Sequence, residues 1–255
     1  MQWLLRRLGR DDFSVLRWLD GDSLAGFAVD ASGYVSIHAA TPALDQHLLL
    51  LERTESYRRE AGQTEIEVSV WDDDRELLSA LRPLGYAPSG SSGSELIYEL
   101  VDALPEPRLP EGFSMRWLEP TLDDAYVELH RAAWSTWAPS TYDREMHASV
   151  TSMPDFEREL VPIVAAPDGT LAAYCIAWFD PRTQTVEIEP LGTRPEFRRL
   201  GLARAIVHEV QRRSAERDAK TVMVWSVSKN PQARRLYESA GFRSRRTLRE
   251  HKRTL

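Results

Sequence analysis

The chain has 255 residues, 42% hydrophobic and 28% charged, with a formal net charge of -7. This is the composition of a globular protein of one large or two small domains, and it excludes collagen-like, low-complexity and wholly disordered readings. One cysteine cannot close an intramolecular disulfide, no Cys/His cluster has zinc spacing, and no uniform apolar run, Leu48–Leu51 included, approaches the ~20 residues of a membrane span. The expectation is a cytoplasmic protein with no metal, secretion signal or anchor.

Charge is unevenly distributed. Residues 1–110 hold 10 Lys and Arg against 19 Asp and Glu, whereas residues 194–255 hold 17 against 6. A basic end on an acidic chain suits a small polyanion, and a nucleic-acid binder would more often be basic throughout.

In chain order, the pattern predicts a short helix over 11–19, then a hairpin of strands 24–29 and 34–38 turning at Ser32-Gly33. A helix over 45–61, a strand over 64–71 alternating Ile66, Val68 and Val70, a helix over 73–84 ending at Gly85, and a strand over 95–101 follow. LPEPRLPEG, residues 104–112, reads as a linker. It separates a domain at 1–103 from one at 113–255. Beyond it come a strand at 114–118, a helix at 121–134, a largely helical stretch at 142–160 and a hairpin of 161–165 with 171–179. The chain continues with a strand at 185–193, a helix at 202–217, a strand at 221–227, a helix at 231–240 and a final strand pair. Strands alternating with helices indicate an α/β sheet. The basic tail SRRTLREHKR reads as protection of an edge strand.

The halves carry a repeat. With an offset of 156 and no gap, residues 33–87 lie over 189–243: TEIEVSVW over KTVMVWSV, Leu81 over Tyr237, and Gly85-Tyr86 over Gly241-Phe242. The same offset puts Asp45 opposite Gly201 and His47 opposite Ala203.

In TVEIEPLGTRPEFRRLGLA, residues 185–203, a strand runs through a turn into a helix. Small residues at Gly201 and Ala203 let backbone amides approach a ligand, and the helix N-terminus adds free N–H donors and positive dipole. Together, Arg198, Arg199, Leu200, Gly201, Leu202 and Ala203 form an anion cradle suited to a pyrophosphate. Asn230-Pro231 reads as an N-cap followed by proline at the first helical position, which turns Ala233, Leu236, Tyr237 and Ala240 to one apolar face.

This segment, followed by TVMVWSV and NPQARRLYESAGF, resembles the GCN5-related N-acetyltransferases (GNAT family) across essentially all of residues 114–255. In that family the Arg/Gln-x-x-Gly-x-Gly/Ala turn holds the diphosphate of acetyl-CoA, here Arg198 to Ala203, and Asn230 and the Tyr-x-x-x-Gly-Phe ending at Tyr237–Phe242 also match. The resemblance implies acetyl-CoA as co-substrate, with Tyr237 protonating the departing thiolate where an inward tyrosine would otherwise only pack. It implies two tandem acyl-CoA N-acyltransferase folds, each a mixed, mostly antiparallel twisted sheet flanked by helices, the first incomplete and non-catalytic.

Glu187 and Glu189, two apart on a strand, point to one side of the sheet and are expected to line a wet cleft. Either could take the proton from an incoming ammonium, or bind a cationic substrate. Backbone amides of Leu191, Gly192 and Thr193 would run beside the pantetheine arm. Cys175, amid apolar neighbours, reads as inert core. Trp134, Trp137, Tyr142 and Trp178 are candidates for the acceptor wall. The sequence therefore points to an N-acetyltransferase acting on a small-molecule or peptide amine by direct attack, without nucleic-acid or membrane partners. The alternative is a non-catalytic acyl-CoA-binding module.

Overall fold

The computed structural model describes residues 13–31, 34–101, 103–136 and 140–255. In chain order these form β1 (Phe13–Asp20), β2 (Ser23–Ala31), β3 (Tyr34–Ala39), α1 (Leu44–Glu60), β4 (Glu65–Trp71), α2 (Arg75–Leu81) and β5 (Ala87–Glu99). They continue through β6 (Ser114–Trp117), α3 (Asp123–Trp134), α4 (Arg144–Thr151), β7 (Pro162–Ala165), β8 (Leu171–Asp180) and β9 (Thr185–Thr193). The chain ends with α5 (Leu202–Ala215), β10 (Thr221–Val227), α6 (Pro231–Ser239) and β11 (Arg243–Thr254). No helix among the described residues is long and apolar enough to cross a membrane.

Two compact units result. One comprises residues up to Glu95 with Val227–Lys229 and Arg245–Leu255, and the other Leu96–Ser226 with Asn230–Ser244. In the first, strands run in the order β1-β2-β3-β4-β11-β5, with β3 and β4 parallel. Its core gathers Val35, Ile37, Ile66, Val68 and Val70 from the sheet against Leu50 and Leu51 of α1 and Leu77, Ala80 and Leu81 of α2. In the second, the last residues of β5 lead an order β5-β10-β9-β8-β7-β6, with β9 and β10 parallel. Alternate residues Ala173, Cys175 and Ala177 of β8 and Val186 and Ile188 of β9 pack against Ile206, Val207 and Val210 of α5 and Tyr237 of α6.

The second unit follows the sequence expectation closely, with β9 and β10 spanning Thr185–Thr193 and Thr221–Val227. Five expectations are corrected, the last of them the ungapped repeat. The segment expected as a helix over 11–19 is β1 from Phe13 onward, paired antiparallel with β2, and residues 11–12 lie outside the described residues. Its leucines mimic a helical stripe, but Leu16 and Trp18 turn to the core while Val15, Arg17 and Leu19 are exposed, a period of two. The hairpin of β2 and β3 forms, its Ser32-Gly33 turn lying outside the described residues. The helix expected over 142–160 is only α4, because the chain turns at Ser152 and Met153 ahead of Pro154.

The final strand pair is one strand, β11, and it is no edge: Leu248–Thr254 pairs antiparallel with Trp71–Glu65, and β5 flanks it on the other side. Its basic residues meet acids of the same unit. Arg246 grips Glu95 at 3.0 Å and stacks 3.8 Å above Trp71, Arg253 reaches the buried Glu55 at 2.7 Å, and Lys252 meets Glu65 at 2.8 Å. Part of the basic tail's charge is therefore internal pairing for an acidic half.

The repeat holds to individual hydrogen bonds in its second part. Asp74 caps α2 by accepting from the Leu77 N–H at 2.9 Å, and Asn230 caps α6 by accepting from Ala233 at 3.1 Å, 156 residues on. Tyr86 N–H donates to Leu81 and Phe242 N–H to Tyr237, after glycines with φ of 81° and 90°. The strand before the helix breaks the offset. Val35 pairs with Val68 as Ile188 pairs with Val224, a shift of 153 on β3 and 156 on β4. The ungapped alignment therefore fails there, because the second unit inserts a 3-10 turn, Pro195–Phe197, between strand and helix.

Candidate active site in the second unit

Pairing of β9 with β10 stops at Ile188 and Val224, although β9 runs on to Thr193 and β10 to Val227. On the other side of β9, Ala177 faces Ile188 and Cys175 faces Leu191, so Glu189 and Pro190 together oppose Ile176. This is a β-bulge, and it lies where the parallel strands part. Beyond it, alternate backbone groups of β9 face the side that β10 has left. Gly192 is required by crowding on the opposite face: a Cβ there would lie 2.5 Å from Tyr174 Cε1 and 2.9 Å from Ala133 Cβ. Leu191 and Thr193, on either side, are half-buried.

The cradle is a run of left-handed turns. Arg199 has φ of 70° and Gly201 φ of 82°, and Gly201 is the N-cap of α5 with no side-chain cap. Left-handed residues beside right-handed ones turn successive N–H groups toward a common point, an anion-binding concavity, and here a helix N-terminus follows it. A Cβ on Gly201 would meet nothing within 4 Å, so the space before the helix is open. Leu202 anchors the turn in the core at 1% exposure, Ala203 is half-buried, and Arg199, Leu200 and Arg204 are exposed around it. The Arg198 guanidinium is spent on the protein itself: Nε donates to the Thr193 carbonyl at 3.2 Å and Nη2 to the Ala133 carbonyl at 2.9 Å. It ties the turn to the C-terminal end of α3, and its backbone is what remains for a ligand. These features fit a diphosphate group.

At the other end of the gap, Tyr237 projects from α6 into the core at 6% exposure, its ring 5.7 Å from Phe242. Burial, reinforced by the charge of Glu189 and then by Cys175, pushes its phenol above the usual tyrosine range. It therefore keeps its proton at neutral pH. Glu189 is close enough to raise Tyr237, Tyr174 and Cys175 together, and the bulge thus brings it to the tyrosine the sequence singled out. Glu187, opposite Trp178 on β8 and Met223 on β10, is 5% exposed, more enclosed than the half-buried Glu189. Cys175 is fully buried, and burial pushes its thiol up, which makes it a poor nucleophile. Asn230 caps α6 through its side chain and is followed by Pro231 at the first helical position.

Of the aromatic candidates, Trp137 lies outside the described residues. Trp178 is 0% exposed and donates its indole N–H to the Glu189 carbonyl at 2.7 Å, bracing the bulge from behind. Trp134 donates to the Tyr174 hydroxyl at 2.8 Å. Tyr142 stacks on His130 with ring centroids 3.9 Å apart, and its hydroxyl lies 2.9 Å from His147 Nδ1. Tyr126, Tyr174, His147 and Asp123 complete this cluster and were not singled out in the sequence. They come from α3, β8 and α4, so no spacing links them, and Asp123 looks there like an ordinary first-turn acid.

Residues 123–242 match the Acetyltransferase (GNAT) family. The mycothiol acetyltransferase of Streptomyces coelicolor is 29% identical over 147 residues, a match covering 54% of this chain and 45% of that protein, so the chain aligns with less than half of its relative. Among solved structures, a GCN5-related N-acetyltransferase from Sphaerobacter thermophilus superposes with a TM-score of 0.73 at 20% identity, covering 99% of this chain and 84% of the other. A tandem GNAT protein from the clavulanic acid biosynthesis pathway gives 0.70 at 15% identity, covering 97% and 85%. These two likenesses establish the fold along nearly the whole chain, and the family match falls on the unit that carries the open cradle. The second unit thus carries the match to the acetyltransferase (GNAT) family, in a chain whose fold is that of a tandem GNAT protein.

Proposed function

We propose that the second unit transfers the acetyl group of acetyl-CoA to the amine of a small-molecule or peptide acceptor by direct attack, and that the first unit is a non-catalytic scaffold. The observation that carries this reading is the coincidence of three features along one strand. The parallel pair opens at Ile188, the uncapped helix start at Gly201 lies at one end of the opening, and Glu189 with Tyr237 lies at the other. A bound acetyl-CoA supplies an acyl group already activated as a thioester. The chain's own residues do the rest. Amides of residues 199–203 hold the diphosphate, and a backbone N–H of the Leu191–Thr193 stretch, on the side that β10 has left, steadies the carbonyl as charge grows on it. Glu189, with Glu187 behind it, takes up the proton of the attacking amine, and Tyr237 delivers one to the leaving sulfur. The division of the chain into residues 1–103, a linker at 104–112 and a catalytic domain at 113–255 belongs to this reading.

The test is a thiol-release assay with acetyl-CoA across amines, polyamines, amino sugars and amino-acid conjugates, including the acceptor of the mycothiol acetyltransferase relative. Acceptor-dependent release of CoA, with the N-acetylated product identified by mass, is the expected result. Tight acetyl-CoA binding without transfer to any amine would instead identify an acyl-CoA-binding module.

A further inference from the structure

A chain of polar contacts on the α3 side of the second unit runs from a charged anchor to a buried phenol. Arg158 holds Asp123 through two bonds of 2.7 and 3.0 Å. Asp123 Oδ1 lies 3.1 Å from His147 Nε2, a close charge contact rather than a straight hydrogen bond. A carboxylate accepts and never donates, so it selects the tautomer with the proton on Nε2. Nδ1 then carries the lone pair, and the Tyr142 hydroxyl, 2.9 Å away, donates to it. Tyr142 and His147 are 3% and 4% exposed. This is the Asp-His-hydroxyl order of an activated nucleophile, with a phenol as the hydroxyl.

An independent observation places an unpaired polar group beside it. The Tyr126 hydroxyl is wholly buried and has no hydrogen-bond partner among the described residues. Buried hydroxyls are nearly always paired, so an orphan one points to a group that the protein itself does not provide. The Tyr126 ring lies 5.0 Å from both His147 and Tyr174 and 6.4 Å from Tyr142. Tyr174 in turn packs over Gly192 and lies within electrostatic reach of Glu189, at the bulge where the strands part.

We propose that the hydroxyls of Tyr126, Tyr142 and Tyr174 form the seat of the acceptor's amino group, and that Tyr142 passes the ammonium proton to His147. The proposal rests on the amine-acetylating reading above and assigns a second proton path, distinct from Glu189. The ammonium gives a proton to Tyr142 Oη while Tyr142 gives its own to His147 Nδ1. The O–H broken is replaced by the O–H formed, the amine is left with its lone pair, and the imidazolium is stabilised by Asp123 until it loses the proton to water. His147 faces Asp123 and Tyr126 of α3, Arg158 of the 3-10 turn at 158–160 and Tyr142 before α4, with Asp143 adding its field at Tyr142. Burial outweighs Asp123 and, aided by Arg158, holds the imidazole below its usual pKa, so it is neutral and ready to accept. Asp123 and Arg158 are positioning residues.

The experiment uses the full chain, wild type, Tyr142→Phe and His147→Gln. In protein carrying 15N-labelled histidine at neutral pH, the His147 signals are expected to show the Nε2–H tautomer. Added methylammonium chloride shifts the Nδ1 signal in wild type, as the Tyr142 hydroxyl bonded to it meets the amine, and leaves it unmoved in Tyr142→Phe, which preserves the ring stack. An Nδ1–H tautomer, or no response to methylammonium, overturns the proposal whether or not an acceptor is known. With an amine that is turned over, both variants are expected to lose about tenfold or more in kcat/KM at neutral pH and to approach wild type where the free amine predominates. A loss by the same factor at every pH, or none, also overturns it. Wild-type protein that binds no acetyl-CoA and acetylates no amine defeats the amine-acetylating reading instead, and is distinguished by calorimetry on the same sample.

Discussion

Two helices of the repeat, α5 and α1, begin in opposite ways. At the start of α5, Gly201 has φ of 82°, no side chain caps the helix, and the space where a Cβ would sit is open. At the start of α1, Ala43 is extended, the Asp45 carboxylate accepts the Gln46 N–H at 2.9 Å, and His47 folds back to within 3.0 Å of the Ala43 carbonyl. The connection from the preceding strand is residues 194–201 in one unit and 40–43 in the other, and the longer one contains the Pro195–Phe197 turn. The neighbouring strand, helix and cap are meanwhile copied to the hydrogen bond. The start of α1 thus keeps the fold but has the shorter loop and an acid on one of the N–H donors that a diphosphate would need.

The strongest way to break the contrast is at the proposed proton donor. Tyr237→Phe keeps the ring against Phe242 and removes the hydroxyl, so kcat is expected to fall by ~10²-fold with acetyl-CoA affinity nearly unchanged. The counterpart change in the first unit, Leu81→Met, is volume-conserving and leaves kcat as it was. Steady-state rates beside calorimetric affinities check both.

Next in size is the cradle. Gly201→Asp sets a carboxylate before the helix and is expected to weaken acetyl-CoA binding about tenfold or more, roughly 1.4 kcal/mol. Gly201→Asn tolerates the same left-handed backbone without charge and is expected to weaken binding less, which separates repulsion from strain. Glu189→Gln is expected to slow transfer most at low pH, where the acceptor arrives protonated, and a rate–pH profile shows it.

Much of this contrast is legible in the sequence, for stated reasons. RRLGLA needs small residues at 201 and 203 whatever surrounds it, and Asn230-Pro231 announces a helix start by local chemistry alone. The bounds of β9 and β10 follow from turn residues on either side. What was hidden depends on pairing. The insertion at 195–197 emerges only from the register of Val35 with Val68 and Ile188 with Val224. The bulge at Glu189 and Pro190 needs β8 as a ruler, and β1 looks helical until Leu16 and Trp18 have a core to face. The Asp123, His147 and Tyr142 chain joins two helices and a loop.

A smaller effect concerns stability. His38 of β3 and His147 of α4, one in each unit, have pKa values lowered chiefly by burial. Each is neutral when folded and takes a proton first in the unfolded chain, near the model-compound value of 6.5. Stability is therefore complete above that pH and declines as pH falls through it toward the folded values. Thermal unfolding across mildly acidic pH is expected to show this slope, with part of it removed by His147→Gln.

The account stands or falls on how many acetyl-CoA molecules one chain binds. A calorimetric titration of the full chain is predicted to give a single site, weakened by Gly201→Asp and unchanged by Asp45→Ala, because the α1 start lacks the longer turn even when its acid is removed. Two sites per chain, or one site that survives Gly201→Asp, would contradict it.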